Sequence, residues 1–166
     1  MAEFAVNTHR YDPYRSFLFQ VIVGGQVVAG VSKVGALKRT TEVVTHRPGN
    51  VLTHQFKSPG LTDHEAIVLE RGVTHDPAFN DWANQVYSPG GLGGMSLRDF
   101  RKDIMINLMN LQGAVVQRYR VFRCWPSEYV ALPDLDANEN AVAIQSLTIQ
   151  NEGWERDESV SEPSES

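Results

Sequence analysis

The chain has 166 residues, 42% of them apolar and 21% charged. These values describe one domain with enough apolar mass to bury a core; they exclude a chain disordered throughout, a collagen-like repeat and, with Cys124 as the single cysteine, a disulfide scaffold. The formal charge is −5, and Glu152, Glu155, Asp157, Glu158, Glu162 and Glu165 against Arg156 account for all of it. The rest of the chain is neutral, which argues against specific nucleic-acid binding, because that function needs a basic face to displace counterions.

The N-terminus, Met-Ala-Glu-Phe-Ala-Val, shows neither a basic region nor an apolar one of signal-peptide type. The expectation is a chain made in the cytoplasm without a signal peptide. The uncharged stretch Phe17 to Ser32 contains Gln20, Gln26 and three glycines, and is too short and polar to span a bilayer. Residues 1–12 read as an N-terminal arm on a single domain covering 1–156. Asp157–Ser166 is acidic and serine-rich and is expected to be disordered.

Phe17, Phe19, Val21 and Val23 alternate, Gly24-Gly25 follows, and Gln26 to Val31 is again β-rich, which predicts a hairpin. Thr40 to His46 predicts a strand. Arg47 to Gly60 carries breakers at both ends and reads as a long protruding loop or an extended hairpin. Glu65 to Arg71 is another short strand. One helix is predicted over Pro77–Tyr87: Asp76 is the cap, and Phe79, Trp82, Ala83 and Val86 form one apolar stripe. Ser88–Ser96 is a glycine-rich connector. Asp103–Met109 and Val115–Cys124 predict strands, with Trp125-Pro126 closing the second. Leu132–Asn140 is a polar loop, and Val142–Gln150 is a last strand. Seven or eight strands and one helix make a mainly β (α+β) domain, a small barrel or a two-sheet sandwich.

No catalytic constellation is visible, so the chain is expected not to be an enzyme, with no cofactor and no metal. His9, His46, His54, His64 and His75 show no metal-ligand spacing. Cys124 beside Trp125 reads as a buried inert thiol. Asp134, Asp136 and Asn138 have calcium-loop spacing, but Glu139 stands where glycine is needed and Gln145 where a glutamate belongs. Gly90 to Gly94 lacks the strand-turn-helix context of a phosphate loop. Several strands instead have two mixed faces: Ser16, Leu18, Gln20 and Ile22 oppose the Phe17 face, and Met105, Asn107 and Met109 oppose Ile104. A mixed second face suits burial against other subunits or the lining of a wide wet channel.

Ordered segments along 11–156 resemble the tail tube proteins of contractile phages and of phage-tail-like contractile injection systems. Asp12, Pro13, Tyr14, Arg15 and Phe17 match a "DPYRxF" opening. Gly25–Gly30 with Val34 to Leu37, Pro59 to Thr62, and Leu69 to Thr74 ("LxRGVT") follow in order. Trp125, Pro126, Leu135 to Asn138, and Asn151-Glu152-Gly153 near the end complete the series. The resemblance implies two antiparallel sheets packed as a β-barrel with one flanking helix, the tail-tube fold. It implies a structural protomer whose hexameric rings stack into a hollow tube inside a contractile sheath, driven through a target envelope with effector cargo in its lumen. The implied partners are further copies of itself, the sheath, the baseplate and tube initiator, a cap or terminator, and a tape-measure protein. The particle would be extracellular after release, or cytoplasmic and membrane-anchored. The alternative is the tail tube of a phage virion that conducts DNA. Arg47, Pro48, Asn50, His54, Phe56, Lys57 and Pro59 are the expected inter-ring stacking loop. Phe79, Trp82 and Val86 are the candidate helix contacts to another subunit or to the outside, the alternative being that the helix simply packs over the end of the barrel.

Overall fold

The computed structural model describes residues 18–28, 30–50, 52–87 and 99–161. The N-terminal arm, Asp12, Pro13, Tyr14, Arg15, Phe17, His9 and the glycine-rich connector lie outside the described residues. The elements in chain order are β1 (Phe19–Val23), β2 (Gln26–Val27), β3 (Val31–Val34), β4 (Arg39–His46), β5 (Phe56–His64), β6 (Ile67–Gly72), α1 (Ala78–Val86), β7 (Lys102–Met109), β8 (Val115–Val130), β9 (Ile144–Gln150) and β10 (Trp154–Arg156). All described pairings are antiparallel. One sheet path runs β2-β1-β7-β8-β9-β6-β3, with β10 also on β8, and β4-β5 forms a separate two-stranded sheet.

The long strand β8 organises this path. Its first part pairs with β7 and β10, and its second part with β9. Between them Arg123 takes a left-handed φ of 49°, and the register against β7 slips between the Lys102–Cys124 and Ile104–Val121 pairs. An extra residue in one strand bends it, so one strand can serve two differently directed sheets. The sequence expectation ended this strand at Trp125-Pro126, whereas β8 runs through both. Pro126 is tolerated because β9 is the one described partner of that part of β8, and a further register shift falls just after it.

The two halves close over one core. Val21, Ile104 and Val121 come from the first sheet, Ile67, Leu69, Leu147 and Ile149 from the second, and Phe79 and Trp82 from the helix. The strand path itself stays open, so the expected barrel closure is corrected to two packed, unclosed antiparallel sheets. β2 has two residues, and β3 pairs β6 before leading into β4; neither edge supplies the ladder that closure requires.

The helix starts at Ala78, one residue later than predicted, with Pro77 in the cap position. Asp76 still performs the capping chemistry, its Oδ1 accepting the Ala78 N–H at 3.1 Å. Asp76 also anchors the fully buried Arg71, whose Nη1 donates to its Oδ2 at 2.9 Å and whose Nη2 donates to its carbonyl at 2.7 Å. The guanidinium lies 4.2 Å from the Phe79 ring centroid. The Gln145 oxygen, in the orientation that satisfies both groups, accepts from Nε at 2.6 Å. The Ala78 N–H and the Arg71 guanidinium hold the Asp76 carboxyl below its usual range. Asp76→Ala removes the carboxylate that neutralises a buried guanidinium and is expected to cost about 3 kcal/mol in denaturant unfolding, whereas Asp76→Asn, which keeps an acceptor for Ala78, costs less.

Candidate assembly surfaces

Every residue of β4 is exposed, and in β5 all but Ser58 and His64 are. The two strands form a ribbon from the Arg39–His64 pair to the His46–Phe56 pair, with a register shift between Thr41 and Val43. The extended-hairpin form of the sequence reading is the one realised, but Pro59 and Gly60 do not end it: they lie inside β5. Pro59 pairs with Val43 just after the shift, and a Cβ on Gly60 would meet Val44 Cγ2 at 3.0 Å. The absence of that Cβ lets the strands approach. The arm carries Val43, Val44, Leu52, Phe56 and Leu61 in the open, Leu52 and Leu61 about four-fifths exposed at 80% and 81%. A two-stranded ribbon has no core of its own and is marginal alone. Arg47, Pro48, Asn50, His54, Phe56, Lys57 and Pro59 are all exposed on this arm. Phe56 stacks on His46 (5.7 Å between centroids) and meets His54 edge-on at 5.0 Å.

The base of the arm is fixed to the body. Lys38 and Glu65 form an ion pair at 3.1 Å, and the Glu65 N–H donates to the Lys38 carbonyl at 3.0 Å. The Asn151 amide donates to the Glu65 carbonyl at 3.0 Å. His64 meets the Trp154 ring edge-on at 6.2 Å, and Arg39 lies 5.7 Å from the same ring. Gly153, at φ 138°, brings its backbone against His64; a Cβ there would sit 3.6 Å from the imidazole. On the other side Glu152 accepts from Arg123 Nη1 at 2.9 Å, and Phe122 exchanges backbone hydrogen bonds with Glu152 and Gly153. The Arg123 N–H donates to Asp103 at 2.9 Å. Glu152, Gly153, Trp125 and Pro126 therefore lie around the β8 bend, and the first two link it to the arm's base. Sequence reasoning missed Arg123 and Trp154 in this clamp. The available signal was the short Asn-Glu-Gly-Trp run, a turn glycine between a side-chain capper and a large aromatic.

The second face of the first sheet is mixed, with a polar row across Gln20, Asn107 and Arg118 beside Ile22 and Met105. Asn107, buried, accepts from Arg118 Nε at 2.8 Å and lies 3.4 Å from the Gln20 oxygen. Asp157 pairs with Arg120 at 3.0 Å and Arg118 at 3.8 Å. Asp157 is itself buried and its N–H donates to the Arg118 carbonyl, so the start of the acidic tail packs on β8 rather than standing free. The helix stripe is turned inward: Phe79 and Trp82 are buried in the chain's own core and Val86 is half-buried, so these side chains are not a free contact face. The Trp82 indole donates to the Phe100 carbonyl at 2.8 Å. Cys124 is buried, and desolvation pushes its thiol up to about 12. His46 and His54 pack against the one Phe56 ring, and His64 against Trp154. Asp136 accepts the Asn138 N–H at 2.9 Å in a turn.

The described residues thus present an exposed two-stranded ribbon anchored to a two-sheet body. The family model of the T4-like virus tail tube protein gp19 matches residues 15–155, and the chain belongs to that tail tube family. Among solved structures, the chain is 25% identical to one in the sheath-tube complex of the PVC extracellular contractile injection system, with a TM-score of 0.73, covering 87% of this chain and 91% of that one. It is 26% identical to one in the tube-terminating cap of the anti-feeding prophage, with a TM-score of 0.74, covering 95% and 99%. Hcp1 from Flavobacterium johnsoniae shares the fold at 15% identity and a TM-score of 0.53, covering 84% and 94%. No curated protein matches the chain.

Hydrogen bonds from the Ser159 side chain and backbone, then from Arg120, hold Asp157 below the usual carboxylate range. A depressed carboxyl stabilises the fold above its unfolded pKa and loses that contribution as pH falls through the folded one. Asp157→Asn is therefore expected to unfold more easily than wild type at neutral pH. The gap should close as acid titrates the carboxylate, in unfolding midpoints measured from pH 7 down to pH 3.

Proposed function

We propose that this tube protein is the inner-tube protomer of a contractile injection system, acting by assembly and without catalysis or cofactor. Copies close into hexameric rings, and rings stack into a hollow tube within a contractile sheath. The observation that carries this reading is the β4–β5 arm, a long ribbon with apolar side chains on display and no core of its own. Such a ribbon is stabilised by a neighbour, and a closed ring with stacked copies supplies one. The open sheet edges and the mixed second face of the first sheet support it as well, since an unclosed sheet invites strands of the next copy.

The injection system is favoured over a DNA-conducting virion tail because the structures at 25% and 26% identity come from a sheath-tube complex and a tube cap of injection particles. On this reading the sheath, baseplate, tube initiator and cap are the partners, the lumen holds a tape-measure protein or effector cargo, and the chain resides in a phage-tail-like particle.

The arm is the inter-ring contact. Deleting Asn50–Lys57 is expected to leave rings intact in negative-stain electron microscopy and to abolish tubes. Tubes of normal length from that deletion would refute the assignment.

A further inference from the structure

The arm's two ends differ chemically. Its base is clamped at the Ile67 end of β6, through Lys38, Glu65 and Asn151. Its distal part, residues 46–57, holds Arg47 and Lys57 with His46 and His54, contains no acid, and displays Leu52 and Phe56.

At the opposite end of β6 lies a surface of reversed character. β6 and β9 pair from Ile67–Ile149 to Gly72–Ile144, and the Val73 N–H extends the ladder to the Ala143 carbonyl at 2.9 Å. The loop entering β9 therefore sits a whole strand away from the arm's base, about 17 Å for six residues. Asp134, Asp136, Glu139, Leu135 and Val142 line an open groove of about 500 Å³ there. Leu135 and Val142 are strongly exposed, and residues 132–143 hold three acids and no base. The groove is held in shape by the Asp136 turn, which takes the N–H groups of Asn138 and Glu139.

We propose that this groove is the seat for the arm tip of a second copy in the adjacent ring, Leu52 and Phe56 covering Leu135 and Val142 while Arg47 and Lys57 face Asp134 and Glu139. The proposal rests on the reading of the arm as the inter-ring contact and names its partner surface. Two observations select a second copy as the occupant. The charges are complementary, cationic tip against acidic groove, which steers and registers an interface. The arm springs from one end of the β6–β9 pair and the groove lies at the other, a placement that suits copies meeting head to tail. That heterologous arrangement repeats along an axis and builds a filament.

The test is charge reversal with reciprocal rescue in the full chain, with folding checked by circular dichroism and assembly read by sedimentation and negative-stain microscopy. Asp134→Lys with Glu139→Lys is expected to leave rings and lose tubes. Arg47→Glu with Lys57→Glu is expected to do the same. The four changes together are expected to restore tubes. Groove reversal that stacks like wild type, while deletion of Asn50–Lys57 still abolishes tubes, overturns the seat and leaves the arm reading standing. Tubes that survive both changes overturn the arm reading itself. A quadruple variant that forms rings without stacking also overturns the seat.

Discussion

One strand has to serve two sheets, and the rest of the molecule follows from how it does so. β8 bends at Arg123, where a left-handed residue and a slipped register turn the chain between its β7-facing and β9-facing parts. The bend folds the two sheets over one core, so that Val121 and Leu147 share it. Asp103 and Glu152 hold Arg123 by its backbone N–H and its guanidinium. Because Glu152 belongs to the same turn that meets His64 and Glu65, the bend and the base of the arm are one connected structure. A change at the bend is thus felt at the arm, although the arm touches little of the core.

The arm sets the second constraint. Backbone hydrogen bonds between two strands do not offset the entropy of ordering them in water, and three or more strands or a packed face are normally required. Here both faces of the ribbon are open along nearly its whole length. The few internal supports are small: the Thr41–Thr62 hydroxyl contact at 2.9 Å and the Phe56 ring between two histidines. A ribbon with that composition suits burial against another copy, and the open edges of the main sheet suit the same end.

The strands that alternate apolar and polar residues were legible, because period two survives folding whenever one face meets a core: β1, β6, β7 and β9 fall close to their expected places. The helix was legible from Asp76, Pro77 and the Phe79–Trp82 stripe, though that stripe points into the core and not outward. The β8 bend was not legible. Trp125-Pro126 carries the sequence signal of a strand end, and only β9, distant in sequence, makes it an edge position. Pro59-Gly60 misled in the same way, since β5 carries them through an extra residue in its register against β4, which only the pairing reveals. Asp157 reads as part of a solvated acidic tail until the fold brings Arg118 and Arg120 beside it. The family was legible from ordered short motifs, whereas the groove at 133–144 was visible only as an acidic loop, since its placement depends on the β6–β9 register.

The most direct test of the account compares amide hydrogen exchange of the full chain before and after assembly, peptide by peptide. The account predicts that β4 and β5 exchange quickly in the unassembled chain and become protected in tubes, while β6 and β9 are protected in both. Arm amides that exchange equally fast in assembled tubes would contradict it, because the ribbon would then be ordered by nothing and could not be the contact that builds the tube.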